Sequence, residues 1–164
     1  MDFEKLKNVK AIVLDIDGVL TTGDILVTDE GEFLRSVNMK DGYALHRANA
    51  AGIKMCCISG STQKGMIKRL AQIGINDVFH RCLDKPKQLE EWANLNGLLL
   101  DQIIYIGDDT IDKKCIELVG FGACPKDAVD EVKEVADYVS KYNGGRGAVR
   151  DVVETMLRLK GLWE

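Results

Sequence analysis

The feature that most restricts this chain is its alternation. Short runs rich in apolar and β-branched residues are followed, again and again, by longer segments with apolar residues at helical spacing. Lys10–Leu14, Lys54–Ile58, Asp77–His80, Ile103–Ile106, Gly122–Cys124 and Tyr138–Val139 read as strands. Gly42–Ala51, Thr62–Ile73, Lys85–Asn96, Asp109–Val119, Ala128–Ala136 and Ala148–Lys160 read as helices, with Gly74, Gly97 and Gly120 as stops and Asp127 as an N-cap. Strand and helix in this order predict right-handed crossovers and a parallel sheet covered on both faces, an α/β Rossmann-like fold. One segment departs from the pattern. Ile25–Thr28 and Glu32–Val37 flank the turn TDEGE, which predicts a protruding β-hairpin over about residues 23–37.

A chain of 164 residues, 46% hydrophobic and 29% charged, fits one globular domain over 1–164 with a sizeable core. The net charge of −4 and the lack of a basic run argue against nucleic acid and anionic membrane surfaces as partners. No apolar stretch reaches membrane-spanning length, and the opening MDFEKLKN is too polar for a secretory signal. The five cysteines form no CxxC pair, which suits free thiols in a reducing cytoplasm. With only two histidines, neither at ligand spacing from a cysteine, a zinc site is not expected.

In a parallel sheet, ligands bind at the carboxyl ends of the strands, so the residues standing there carry the functional information. The first core strand ends in Asp15-Ile16-Asp17-Gly18, and the second in Ser59-Gly60-Ser61. The third is followed by Asp84-Lys85, and the fourth by Gly107-Asp108-Asp109, with Asp112 one turn later. Brought to one edge, these carboxylates repel one another unless a cation lies among them. Oxygen-only ligands point to Mg²⁺. Lys85, the Ser59 hydroxyl and the backbone N–H groups near Gly60 then suit a phosphate, so the set suggests phosphoryl transfer. DxDG is not an EF-hand loop, because its glycine comes too early and no glutamate closes it. Asp109 alone would also serve as a helix N-cap, and Lys85 alone as a solvated surface residue.

LDIDGVL, the Ser59 strand end, Lys85 and IGDDTID resemble, in order, the four motifs of the haloacid dehalogenase superfamily of phosphohydrolases. NMKDGYALHRANAAGIKMCCISG and YNGGRGAVRDVVE are similar to the 3-deoxy-D-manno-octulosonate 8-phosphate phosphatase branch, so the resemblance covers nearly the whole chain. It implies that Asp15 is a nucleophile forming an aspartyl phosphate and that Asp17 is the general acid and then base. It implies Mg²⁺ bound by Asp15, the backbone carbonyl of Asp17, and Asp108, with Asp109 and Asp112 beside them. Ser59, Gly60 and Lys85 would hold phosphoryl oxygens.

Spacing leaves no room for a cap domain between the motifs, so an open site must be covered by something else. The hairpin, with Ile25, Val27, Phe33 and Val37, is the candidate, and in the resembled family hairpins assemble a homotetramer whose subunits complete one another's sites. Asn38, Lys40 and Asp41 can face the crevice, and Arg146 is a basic candidate for a sugar-acid carboxylate. The family pattern Thr-Gly-Arg is Ser59-Gly60-Ser61 here, which keeps the hydroxyl and loses an arginine. The expected activity is Mg²⁺-dependent hydrolysis of 3-deoxy-D-manno-octulosonate 8-phosphate, in the service of lipopolysaccharide synthesis. The alternatives are a nonulosonate 9-phosphate phosphatase and a non-catalytic oligomerisation domain. The presence of both Asp15 and Asp17 favours an enzyme. His46, His80, Trp92, Trp163 and Tyr105 read as structural, and Lys64 and Lys68 as solvated.

Overall fold

The structure, a computed structural model, describes residues 3–62 and 64–163. Its centre is the strand β1 (Ala11–Leu14), buried at every position. β1 pairs in parallel with β4 (Lys54–Ile58) on one side and β6 (Ile103–Ile106) on the other. β5 (Asp77–Phe79) extends the sheet beyond β4, and β7 (Phe121–Cys124) and β8 (Tyr138–Val139) extend it beyond β6. The order β5-β4-β1-β6-β7-β8 places a topological switch between β1 and β6. Crevices open at the carboxyl ends of strands at such a point.

Successive side chains of a strand point to opposite faces, and β1 divides its four between two cores. Ile12 and Leu14 pack with Leu45, Leu70 and Val153, from α1 (Met39–Ala50), α2 (Lys64–Gln72) and α6 (Ala148–Leu159). Ala11 and Val13 face Leu89, Trp92, Ile116 and Val132, from α3 (Lys85–Leu95), α4 (Lys113–Leu118) and α5 (Asp130–Lys133). A sheet clad on both faces explains why its central strands are apolar runs rather than alternating ones.

Several boundaries move for identifiable reasons. α1 begins at Met39, three residues before the expected start, because Asn38 Oδ1 accepts the Lys40 N–H at 2.8 Å as an N-cap. The expected helix Asp109–Val119 divides into a 3₁₀ turn, Thr110–Asp112, and α4, because the Asp112 carboxylate is drawn back onto the N–H groups of Asp108 and Asp109. The expected helix Ala128–Ala136 contracts to α5, and Asp127 does not cap it. Asp127 Oδ1 instead accepts the Gly144 N–H at 2.9 Å. Within the expected helix Thr62–Ile73, Gln63 lies outside the described residues, as do Met1, Asp2 and Glu164 of the chain.

The hairpin forms, and is shorter than expected. β2 (Leu26–Val27) pairs antiparallel with β3 (Phe33–Leu34), with a further bridge between Thr21 and Val37. Leu26, Val27, Phe33 and Leu34 are all exposed. Between β1 and α1 the chain makes only this hairpin, and between β4 and α3 only α2 and β5, so no inserted cap stands over the crevice among the described residues.

Candidate active site

β1 runs out at Leu14, and the next residue, Asp15, sits buried at the head of the cleft with its N–H on the Ile106 carbonyl at 2.9 Å. The chain then turns, and Gly18 takes φ +82°, where a Cβ would collide with the Asp108 carboxylate. This glycine lets the β1 and β6 ends approach closely. Gly107 lets the segment after β6 fold back on itself, since a Cβ there would strike Asp112. A cleft of about 320 Å³ results, lined by Asp15, Asp17, Ser59, Gly60, Ser61 and Asp108 among others.

Lys85, at the first position of α3, is almost wholly buried. Its Nζ lies 3.1 Å from Asp15 Oδ1 and 2.8 Å from Asp112 Oδ1. Tyr105 Oη also donates to Asp112 Oδ1, at 2.7 Å. The other oxygen, Asp112 Oδ2, accepts from the Asp108 and Asp109 N–H groups at 3.2 and 3.4 Å. Asp112 is thus a buried hub that fixes Lys85, Tyr105 and the loop after β6. Asp109 is exposed, and its Oδ1 accepts from the Thr110 N–H at 2.7 Å in the manner of an N-cap.

Across the cleft, Ser59 is buried at the end of β4, with its Oγ accepting the Ser61 N–H at 3.2 Å. Ser61 Oγ donates to Asp17 Oδ2 at 2.8 Å, and Arg35 Nε to Asp17 Oδ1 at 2.6 Å. Arg35 and Tyr105 are not among the residues the sequence points to here, and Ser61, which stands in the strand-end run, carries no role there. Nothing in the hairpin sequence distinguishes Arg35 from a solvated charge, and a tyrosine inside an apolar strand gives no sign of what its hydroxyl meets.

The charges do not balance within the protein. Asp15, Asp108 and Asp112 offer oxygens within 4.8 Å of one another. Lys85 faces two of them, and three carboxylates against one ammonium leave a deficit equal to the charge of one divalent cation. Burial, and then the Asp112 charge, push Asp15 up to about 7. Burial, followed by the charges of Asp15, Asp112 and Asp109, pushes Asp108 up to about 8. Burial draws the Lys85 ammonium down, but Asp112 and Asp15 outweigh it and hold it above its ordinary value. Asp108 Oδ1 is buried and has no hydrogen-bond partner among the described residues. An orphaned carboxylate oxygen in an oxygen-only cluster with surplus negative charge fits a hard divalent cation.

The remaining expected residues lie apart from this cluster. Asn38 caps α1, as above. Asp41 is buried and accepts the Gly147 and Arg150 N–H groups at 3.1 and 2.7 Å, tying α1 to the start of α6. Lys40 and Arg146 are exposed and line a separate groove of about 560 Å³ with Lys141, Arg150 and Arg158. The GGRG segment has a packing reason. Gly144 and Gly145 lie against the backbone of Gly18 and Thr21, with no space for a Cβ, so the α6 entry braces the loop that carries Asp17.

A family profile described as haloacid dehalogenase-like hydrolase matches residues 71–152. The 3-deoxy-D-manno-octulosonate 8-phosphate phosphatase of Escherichia coli strain K12 is 33% identical over 157 residues, covering 96% of this chain and 84% of that protein. The crystal structure of the corresponding phosphatase from Moraxella catarrhalis, in complex with a magnesium ion, a phosphate ion and a KDO molecule, matches with a TM-score of 0.94 at 30% identity, over 97% of this chain and 91% of that one. The cobalt-bound form of the Haemophilus influenzae phosphatase matches with a TM-score of 0.91 at 31% identity, over 96% and 92%. A shared sheet, a shared run of strand-end motifs and near full-length identity of this order have one explanation: the chain belongs to the 3-deoxy-D-manno-octulosonate 8-phosphate phosphatase family of haloacid dehalogenase-like hydrolases.

Proposed function

We propose that the chain is a single-domain, Mg²⁺-dependent phosphatase that converts 3-deoxy-D-manno-octulosonate 8-phosphate to the free sugar acid and phosphate. The observation that carries this reading is Asp15: a carboxylate rigidly held at a strand end, clamped by buried Lys85, and sharing one cleft with Asp17 and Ser59. An Asp15 oxygen attacks phosphorus and the bond from phosphorus to the sugar oxygen breaks. Asp17 gives its proton to the departing alkoxide. Asp17 then takes a proton from water, which attacks the aspartyl phosphate, breaks the Asp15–phosphorus bond and releases inorganic phosphate. Ser59, the Gly60 N–H and Lys85 hold phosphoryl oxygens through both steps. Asp15, Asp108 and the Asp17 backbone carbonyl would hold Mg²⁺, with Asp112 and Asp109 bracing the loop. When bound, the ion supplies positive charge that lets the adjacent carboxylates ionise together and that neutralises the phosphoryl group.

Exposed Leu26, Val27, Phe33 and Leu34 support assembly through the hairpin, since a two-stranded ribbon is marginal alone. We take the assembly to be a homotetramer, in which Lys40 and Arg146 meet the carboxylate end of a substrate across a subunit boundary. No described helix is long and apolar enough to cross a membrane, and all five cysteines are free thiols, which supports a cytoplasmic setting. The test is phosphate release from the octulosonate 8-phosphate, with and without Mg²⁺, by the wild type and D15N. Metal-dependent release that D15N abolishes is expected. Preference for a nonulosonate 9-phosphate, or release by D15N, would overturn the assignment.

A further inference from the structure

Arg35 reaches Asp17 from the hairpin. It follows β3 on the returning arm of the hairpin, yet its side chain is only 12% exposed. Nε donates to Asp17 Oδ1 at 2.6 Å, and Nη2 approaches Asp17 Oδ2 at 3.5 Å. Nη1 donates to the Phe33 carbonyl at 3.3 Å, which ties the guanidinium to its own strand. Asp17 and Ser61 line the cleft beside Asp15, whereas Arg35 is absent from the described residues that line it. Arg35 is therefore placed to act on Asp17.

Two groups that grip Asp17 among the described residues differ in chemistry. A guanidinium has only N–H donors and keeps its charge, whereas a hydroxyl donates or accepts as needed. The oxygen facing Arg35, Oδ1, is held as an acceptor throughout. The oxygen facing Ser61, Oδ2, can gain or give a proton while the serine hydroxyl turns to match. Ser61 Oγ also lies 3.3 Å from Ser59 Oγ, so Oδ2 belongs to the polar wall of the cleft.

We propose that Arg35 is a positioning residue for Asp17: it pins Oδ1 and leaves proton exchange with the leaving group to Oδ2, on the Ser61 side. This rests on Asp17 acting as the acid in the reaction proposed above. It also makes delivery of that proton depend on the hairpin being in place, because the pinning group is carried on the hairpin.

Loss of the pin should matter in proportion to how much the departing oxygen needs a proton. A sugar alkoxide needs one, and p-nitrophenolate does not. The experiment compares the pre-steady-state burst of sugar acid from 3-deoxy-D-manno-octulosonate 8-phosphate with the burst of p-nitrophenolate from p-nitrophenyl phosphate. Both are measured at saturating ester with Mg²⁺, for wild type, R35M and R35K. Slowing of sugar release by R35M that exceeds its slowing of nitrophenolate release about tenfold is the expected result, a part of the roughly 10²–10⁴ that a well-placed general acid contributes. R35K, also a charged donor, should recover much of the loss. Equal slowing of both esters would overturn the inference, and so would an unchanged saturating rate with only a higher concentration of sugar ester required. Nitrophenolate release reports that R35M is folded. Wild-type enzyme that releases no sugar acid would instead refute the proposed function, whatever Arg35 does.

Discussion

Removing the divalent cation should make the protein's stability depend on pH in a way that reports the carboxylate cluster directly. Without the ion, burial and neighbouring charge hold Asp15 at about 7 and Asp108 at about 8, both above an ordinary carboxyl at 3.8. The folded chain then binds these protons more tightly than the unfolded chain does. Their contribution is fully present below the ordinary carboxyl range and is lost as pH rises through the folded values. One such group costs about 1.4 kcal/mol per pH unit across this window, hence roughly 3 kcal/mol between pH 5 and pH 7. Asp15 and Asp108 interact, so their losses do not simply add. For a chain of this size about 1 kcal/mol corresponds to roughly 2–4 °C, which gives a fall in Tm of about 6–12 °C. Lys85 is held above its ordinary value and stays charged throughout. The assay is thermal unfolding in chelator and in excess Mg²⁺ at pH 5, 6, 7 and 8. The chelated protein should lose Tm steadily, and Mg²⁺, by binding the ionised cluster of the folded chain, should raise Tm far more at pH 8 than at pH 5. A chelated Tm that stays flat from pH 5 to 8, or an Mg²⁺ effect equal at both ends, would refute the reasoning.

Two further outcomes follow from the packing. D41A removes a buried acceptor from the Gly147 and Arg150 N–H groups and should destabilise the chain by about 2–3 kcal/mol, with D41N recovering part of it; chemical denaturation checks this, and an unchanged midpoint would contradict the cross-helix cap. F33D alters a residue 63% exposed in the single chain, so the fold should be nearly unaffected while sedimentation shows subunits in place of the proposed tetramer; a wild type that sediments as a monomer would remove the assembly from the picture.

The architecture was legible because its signals are local. Apolar runs such as Ile103–Ile106 and Lys54–Ile58 appear as strands with the expected bounds, since strands buried on both faces need continuous apolar residues. Element ends were less legible where a side chain bonded the backbone. Asn38 lengthened α1, the back-bonding of Asp112 split the segment after β6, and Asp127 was taken by Gly144 from far along the chain. Asp15 and Lys85 could be nominated from the sequence because a topological rule sends strand ends to one edge, and the structure brings their side chains within 3.1 Å. Asn38 and Asp41 stand in a loop that can face the crevice, but their side-chain oxygens accept backbone N–H groups, and spacing along the chain does not show such a partner.

By itself the sequence determined a parallel α/β sheet, the chemistry standing at its strand ends, the lack of room for a cap, and a hairpin in its place. These depend on periodicity, spacing and composition along the chain. Only the tertiary structure decided that Arg35 grips Asp17 across 18 positions, that Tyr105 and Lys85 converge on Asp112, and that one oxygen of Asp108 is left without a donor among the described residues. Each of these is a contact between groups whose meeting costs chain entropy and is repaid only when the sheet has already drawn its strand ends together.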